Sequence, residues 1–261
     1  SPYGNWISVP DYGGYIWHPF EVGSGWRPYT NGRWLWSDYG WLWFSYEPWG
    51  WATYHYGRWV FDDYYGWIWV PDTVWAPAWV TWYTGPEYIG WAPLPPDDSF
   101  FIGIGIGFNN YHHRHHYINP SHCVFVPSDR FLDYRIDSVA INPSRNITII
   151  NNTRNITNIK LVNNRIVNYG PDVRFVEKST KERIRKVNVV DRDLTVIKKG
   201  ERVNELEGND YRVFRPRVFK EDDETPSLRN EVKGKDPVEI ESRNELVTPS
   251  YKKSLKNKGE F

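Results

Sequence analysis

Between Gly4 and Trp91 large apolar residues recur at every second position in short runs, each interrupted by a cluster rich in Asp, Tyr and Gly. A period of two puts alternate side chains on one face of an extended strand, and the interruptions supply residues that let a chain reverse. The pattern predicts β-hairpins at "GNWISVPDYGGYIW" from Gly4, "GRWLWSDYGWLW" from Gly32, "GRWVFDDYYGWIW" from Gly57 and a looser "AWVTWYTGPEYIGW" from Ala78. Their spacing of about 21–28 residues is that of stacked supersecondary repeats. In the second copy a turn over Ser37 to Gly40 sets Trp36 beside Trp41 and Trp34 beside Trp43; in the third, Trp59 and Phe61 face Trp69 and Trp67. Each such cross-strand aromatic pair is worth roughly 0.2–1 kcal/mol relative to alanine.

Beyond the tryptophans the pattern changes twice. "FIGIGIGF" from Phe101 alternates glycine with large apolar residues, so one strand face carries no side chains. From Val139, Ile, Val and Thr are punctuated by Asn151-Asn152 and Asn163-Asn164, which reads as strands joined by asparagine turns. Pro171, Asp172, Val173, Val176 and Ile184 predict a short amphipathic helix, followed by a strand over Lys186 to Val190. After Asp191 the chain is charged and poor in large apolar residues, a composition expected to stay disordered alone or to wrap as an extended arm. The expected organisation is a Trp/Tyr-rich hairpin domain over 1–97, a glycine-alternating strand and His-rich loop over 98–138, an Asn-rich β region with a short helix over 139–190, and a charged tail over 191–261. The fold class is mainly β, its antiparallel hairpins forming a small barrel or a propeller-like sheet.

Composition narrows the function. All 16 tryptophans lie between Trp6 and Trp91, alongside 18 tyrosines and 12 phenylalanines in the whole chain. Each such ring buries about 150–250 Å², more than a domain of ~100 residues hides easily, so some rings are expected at the surface. Lys+Arg and Asp+Glu are both 32, so no basic excess argues for nucleic acid. No apolar run approaches the roughly 18 residues of a spanning helix. The single cysteine, Cys123, allows no internal disulfide, and the absence of methionine even at residue 1 is expected of a chain processed upstream. "YEPWGWATYHYGRW" is aromatic on both faces, which nominates Trp49, Trp51, Tyr54 and Tyr56 as a binding platform with Glu47, His55 and Arg58 as polar contacts. Trp34, Trp36, Trp41, Trp43, Trp67 and Trp69 are assigned to core packing. His112, His113, His115, His116 and His122, with Cys123, could ligate zinc or copper, although the spacing closes no tetrahedron and an exposed polar loop explains it as well.

The stretches "YGNWISVPDYGGYIWHP", "WRPYTNGRWLWSDYGWLWFSYEPWGWATYHYGRWVFDDYYGWIWVPDTVWAPAWVTW" and "YIGWAPLPP" resemble the tryptophan-rich repeats of an uncharacterised family of exported bacterial proteins. The later "NITIINNTRNITNIKLVNNRIVNYGPDV" is similar to the region C-terminal to the repeats in those proteins. The likeness covers roughly residues 3 to 190. It implies export to the periplasm, cell surface or medium, and it transfers no catalytic residue. The hairpins also loosely resemble the aromatic repeats of wall-anchoring choline- and glucan-binding modules. The expected function is non-enzymatic: self-assembly or binding of a cell-surface glycan, with no resident cofactor. The alternatives are metal handling by the histidine loop and a two-carboxylate glycan hydrolase drawing on Glu47, Asp38, Asp62, Asp63, Asp72 or Glu87, of which Asp38, Asp62 and Asp63 also suit turns.

Overall fold

The computed structural model describes residues 2–20, 22–96, 118–163, 165–192 and 202–215, all within one compact unit, Ser1–Val218. Each expected hairpin forms: β1 (Gly4–Val9) with β2 (Gly14–Pro19), β3 (Gly32–Ser37) with β4 (Gly40–Ser45), β5 (Arg58–Asp62) with β6 (Gly66–Val70), and β7 (Val80–Thr84) with β8 (Tyr88–Pro93). Trp34 pairs with Trp43, Trp36 with Trp41, Trp59 with Trp69 and Phe61 with Trp67, in the register that the alternation predicts. Aspartate in the third turn serves the backbone, since Asp62 Oδ1 accepts from the amides of Tyr64 (2.9 Å) and Tyr65 (3.0 Å). The glycines that open the first two hairpins have a packing cause. At Gly32 a Cβ would lie 2.6 Å from the Trp43 ring, and at Gly4 it would lie 2.5 Å from the Trp17 ring, so glycine lets the partner strand's indole lie across the backbone.

The hairpins do not stack in chain order. The first and third join through Trp17↔Trp69 into a four-stranded sheet, β1-β2-β6-β5. The fourth hairpin pairs on one side with β9 (Val124–Pro127) and on the other with β10 (Arg154–Asn155), giving β10-β7-β8-β9. The second is the centre of a seven-stranded mixed sheet with β11 (Ile159–Val162), β12 (Arg165–Asn168), β13 (Lys186–Asp191), β14 (Glu205–Glu207) and β15 (Asp210–Val213), in the order β11-β12-β4-β3-β13-β15-β14. Among the described residues these three sheets are open, and none closes into a barrel. The physical reason is convergence: hairpins one and three pair edge to edge, but the three sheets turn their tryptophan faces toward one shared cluster instead of closing on themselves. That cluster holds Trp17, Trp34, Trp43, Trp59, Trp82 and Trp91 together with Phe131, Ile136 and Val176 from the later chain, so the tryptophan-rich and Asn-rich regions share a core.

One stretch departs from the expected strands. "NITIIN" forms a helix, α3 (Asn146–Asn151), after the short helices α1 (Gly50–Thr53) and α2 (Ile136–Val139). Asn142 starts the helical run: its side chain accepts from the Ser144 amide (3.0 Å) and Pro143 follows in the first turn. Tertiary contacts then override β propensity, because Ile149 is buried against Ala92, Cys123 and Phe125. Asn146 is also fully buried, donating to the carbonyls of Pro120 (2.8 Å) and Cys123 (2.7 Å). The expected amphipathic helix is α4 (Val173–Thr180), with Asp172 as its N-cap accepting from Phe175 N at 3.0 Å. Asp172→Ala is expected to lower unfolding stability by about 1 kcal/mol in urea titration, with Asp172→Asn recovering most of it. Part of the segment expected as tail is folded: Tyr211 and Val213 on β15 are buried with Leu42 and Val187. Residues 216–261 lie outside the described residues.

Candidate functional site

The stretch from Glu47 to Arg58, expected as a displayed platform, is mostly interior. Tyr54, His55, Tyr56 and Arg58 are buried, Trp49 and Trp51 are half-buried, and Trp49 packs on Trp17 (5.3 Å) and Trp59 (5.8 Å). The reason is the turn of α1, which folds the segment under the first sheet and presents both of its aromatic faces to protein. Trp51 meets Phe214 at 5.6 Å, so even the outward ring has a partner. The Glu47 carboxylate accepts from Trp26 Nε1 (2.7 Å), Ser45 Oγ (3.0 Å) and Tyr54 OH (2.5 Å). Burial pushes it up to about 7 despite those donors, and the charge of Asp137 adds to the rise. The Arg58 guanidinium lies 3.4 Å over the Trp79 ring and donates to Gly57 O (3.1 Å). His55 stacks on Trp75 at 5.5 Å, with Nδ1 2.9 Å from Ala76 O and Nε2 3.4 Å from Tyr211 OH.

The other nominated carboxylates have separate surroundings. Asp38 pairs with Lys186 (2.7 Å), Asp72 accepts from Thr73 N (2.5 Å), Asp62 orders its turn, and Asp63 and Glu87 are exposed. Of the nominated metal ligands, His112, His113, His115 and His116 lie outside the described residues. His122 and Cys123 are adjacent in the chain but diverge in space. Cys123 is fully buried among Ala92, Phe125 and Ile149, and burial pushes its thiol up to about 12, so it packs as an apolar residue. Among the described residues no group of three metal-ligating side chains converges.

The exposed rings concentrate on the first sheet. Its pairings form a row, Trp6–Trp17–Trp69–Trp59, that crosses the sheet from β1 to β5. Trp17, Trp69 and Trp59 are buried, whereas Trp6 is 50% exposed while still 6.0 Å from Trp69. On the same face, two residues from the row but on opposite sides of it, Tyr15 is 64% and Phe61 40% exposed. Beside Phe61 a notch of about 50 Å³ opens between the first and second sheets, lined by Val60, Trp67, Ala92, Pro93 and His122. The His122 ring lies 4.6 Å from Phe61 and 5.0 Å from Trp67, placed there by the Pro120–His122 turn that Asn119 caps. Burial first, and the Arg27 charge second, hold the imidazole below its usual range; Asp63 opposes them. His122 is therefore neutral at pH 7, with one ring nitrogen donating and the other accepting.

The stretch expected to be displayed is covered: alternation says which rings share a face, not which face is covered. A weak signal for the exposed set existed in β1 and β2, where Asn5, Ser8 and His18 intersperse the rings with polar residues. Two larger clefts, about 570 and 720 Å³, flank the β7–β8 turn at Pro86 and Glu87. Their rims mix Glu87 and Asp129 with Lys178, Lys181 and Arg145. Residues 1–98 match the model of a family of unknown function (DUF6600). No curated protein and no solved structure matches the chain.

Proposed function

We propose that the chain is a non-enzymatic module of the bacterial envelope or extracellular space that binds a surface glycan through rings displayed on its first sheet. The observation that carries the reading is the exposure of Trp6, Tyr15 and Phe61 on a sheet whose adjoining tryptophans are locked in the core. Rings held by a rigid scaffold lose little freedom on binding, and their flat apolar faces match the C–H faces of sugars. Glu47, Asp38 and Asp62, each tied to partners of its own, favour binding over two-carboxylate hydrolysis. The envelope location rests on the resemblance to exported proteins. Retention of the protein on insoluble wall polysaccharide tests the reading. Trp6→Ala and Tyr15→Ala should each weaken retention about three- to tenfold without loss of folding. Unchanged retention by a triple variant that adds Phe61→Ala would overturn it.

Self-assembly is a second reading, favoured by a different observation. Among the described residues β1 and β11 are sheet edges, and β11 exposes Leu161 (43%) and Val162 (39%) along its outer side. Light scattering should then give a mass above the 31.0 kDa monomer, reduced to monomer by Leu161→Lys. A tail deletion belongs after residue 215, since Tyr211 and Val213 are core residues. A monomeric mass for the unaltered chain removes this reading.

A further inference from the structure

We infer that the notch beside Phe61 is a subsite for the acetamido group of an N-acetylated sugar, with the sugar ring lying on the exposed face of Phe61; this rests on the glycan-binding reading above. Size is the first argument. At about 50 Å³ the notch has about a third of the roughly 150 Å³ that admits a benzene ring, so it takes a group of a few heavy atoms and leaves the pyranose outside. Lining chemistry is the second. Val60, Ala92 and Pro93 contribute apolar surface suited to a methyl group, and His122, an imidazole able both to donate and to accept a hydrogen bond, belongs to the same lining. An acetamido group has that composition: a methyl, a carbonyl that accepts and an N–H that donates.

Charge is the third argument. Arg27 and Asp63 both act on His122 with opposite sign, and the Arg27 guanidinium is committed to the Cys123 carbonyl. No carboxylate, ammonium or guanidinium stands among the described lining residues, which favours an uncharged group over a carboxylate or an ammonium. Phe61 supplies the stacking face, since its ring is 40% exposed yet wedged in place by Trp67 at 5.5 Å and His122 at 4.6 Å. The inferred ligand class is therefore a neutral glycan containing N-acetylhexosamine.

The test titrates the full chain with two matched tetrasaccharides, β-1,4-linked N-acetylglucosamine and β-1,4-linked glucose, by calorimetry. The N-acetylated oligomer should bind at least about tenfold tighter, because a site built to hydrogen-bond a group rejects the analogue lacking it. His122→Ala should bring its affinity down to that of the glucose oligomer, and His122→Gln, which keeps a donor and an acceptor, should recover most of the preference. Equal affinity for the two oligomers, both weakened by Phe61→Ala, would overturn the acetamido subsite and leave glycan binding standing. Binding of neither oligomer, with the protein still retained on wall polysaccharide, would also overturn the subsite alone; loss of that retention as well would overturn both. Should His122→Ala fail to fold by near-UV circular dichroism, the affinity ratio in the unaltered chain decides.

Discussion

Replacing Asn168 with leucine should lower unfolding stability by about 3–5 kcal/mol, the largest effect expected of any single polar substitution here. Asn168 is fully buried on β12 and joins two regions far apart in the chain. Its Oδ1 accepts from Trp82 Nε1 (2.8 Å), and its Nδ2 donates to the carbonyls of Ala78 (3.2 Å) and Val80 (3.0 Å). Leucine fits the volume but strands an indole N–H and leaves two carbonyls short of a donor inside the core. Each such loss costs about 1–3 kcal/mol. Against a total of about 5–15 kcal/mol for a typical domain, the variant sits near the edge of stability. Urea unfolding followed by tryptophan fluorescence measures the effect. A second variant isolates the cause: Trp82→Phe removes the donor, so adding Asn168→Leu to it should cost less than it does alone. A drop below about 1 kcal/mol for Asn168→Leu would show that the clip is not structural.

The second large effect is on the pH dependence of stability. Glu47 rises from 4.5 to about 7 on folding, chiefly by burial. The folded state then holds an extra proton between those values, so stability is fully present below pH 4.5 and is lost as the pH rises through 7. Burial also lowers His55 from 6.5 to about 4, against the pull of its backbone partners Ala76 and Pro77. Its contribution runs the other way: present above pH 6.5 and lost as the pH falls through 4. Each contribution amounts to about 3 kcal/mol at about 1.4 kcal/mol per pH unit, and between pH 4.5 and 6.5 they oppose one another. The intact protein should therefore show little dependence on pH from these two groups across that window. Glu47→Gln should unmask a stability that climbs with pH, and His55→Asn one that falls. The double variant should be flat again. Parallel slopes in the two single variants would refute the assignment, whatever their absolute stabilities.

Much of the hairpin architecture was legible because it is local. A period-two pattern and a turn cluster determine which residues oppose each other, and Trp34–Trp43 and Phe61–Trp67 follow from spacing alone. The helix at Val173–Thr180 was legible for the same reason, through Pro171, Asp172 and the spacing of Val173 and Val176. Which rings stay exposed was less legible. The expectation that a ~100-residue domain cannot hide so many rings is sound arithmetic for the wrong body, because Phe131, Ile136 and Val176 close over the tryptophan cluster. Tyr54 and Tyr56 went inside, and Trp6, near the N-terminal edge, stayed out.

Sequence by itself thus determined the class, mainly β, the four hairpins and their aromatic pairs, since each depends on neighbours within about fifteen residues along the chain. Only the tertiary structure decided the rest: that hairpins one and three share a sheet, that "NITIIN" winds into a helix, and that His122 meets Phe61 and Trp67 at a notch. The physical reason is that burial is a property of a pair of surfaces. A strand's alternation defines two faces, but which face is dry depends on a partner such as Asn168 or Phe131, supplied from more than forty positions away.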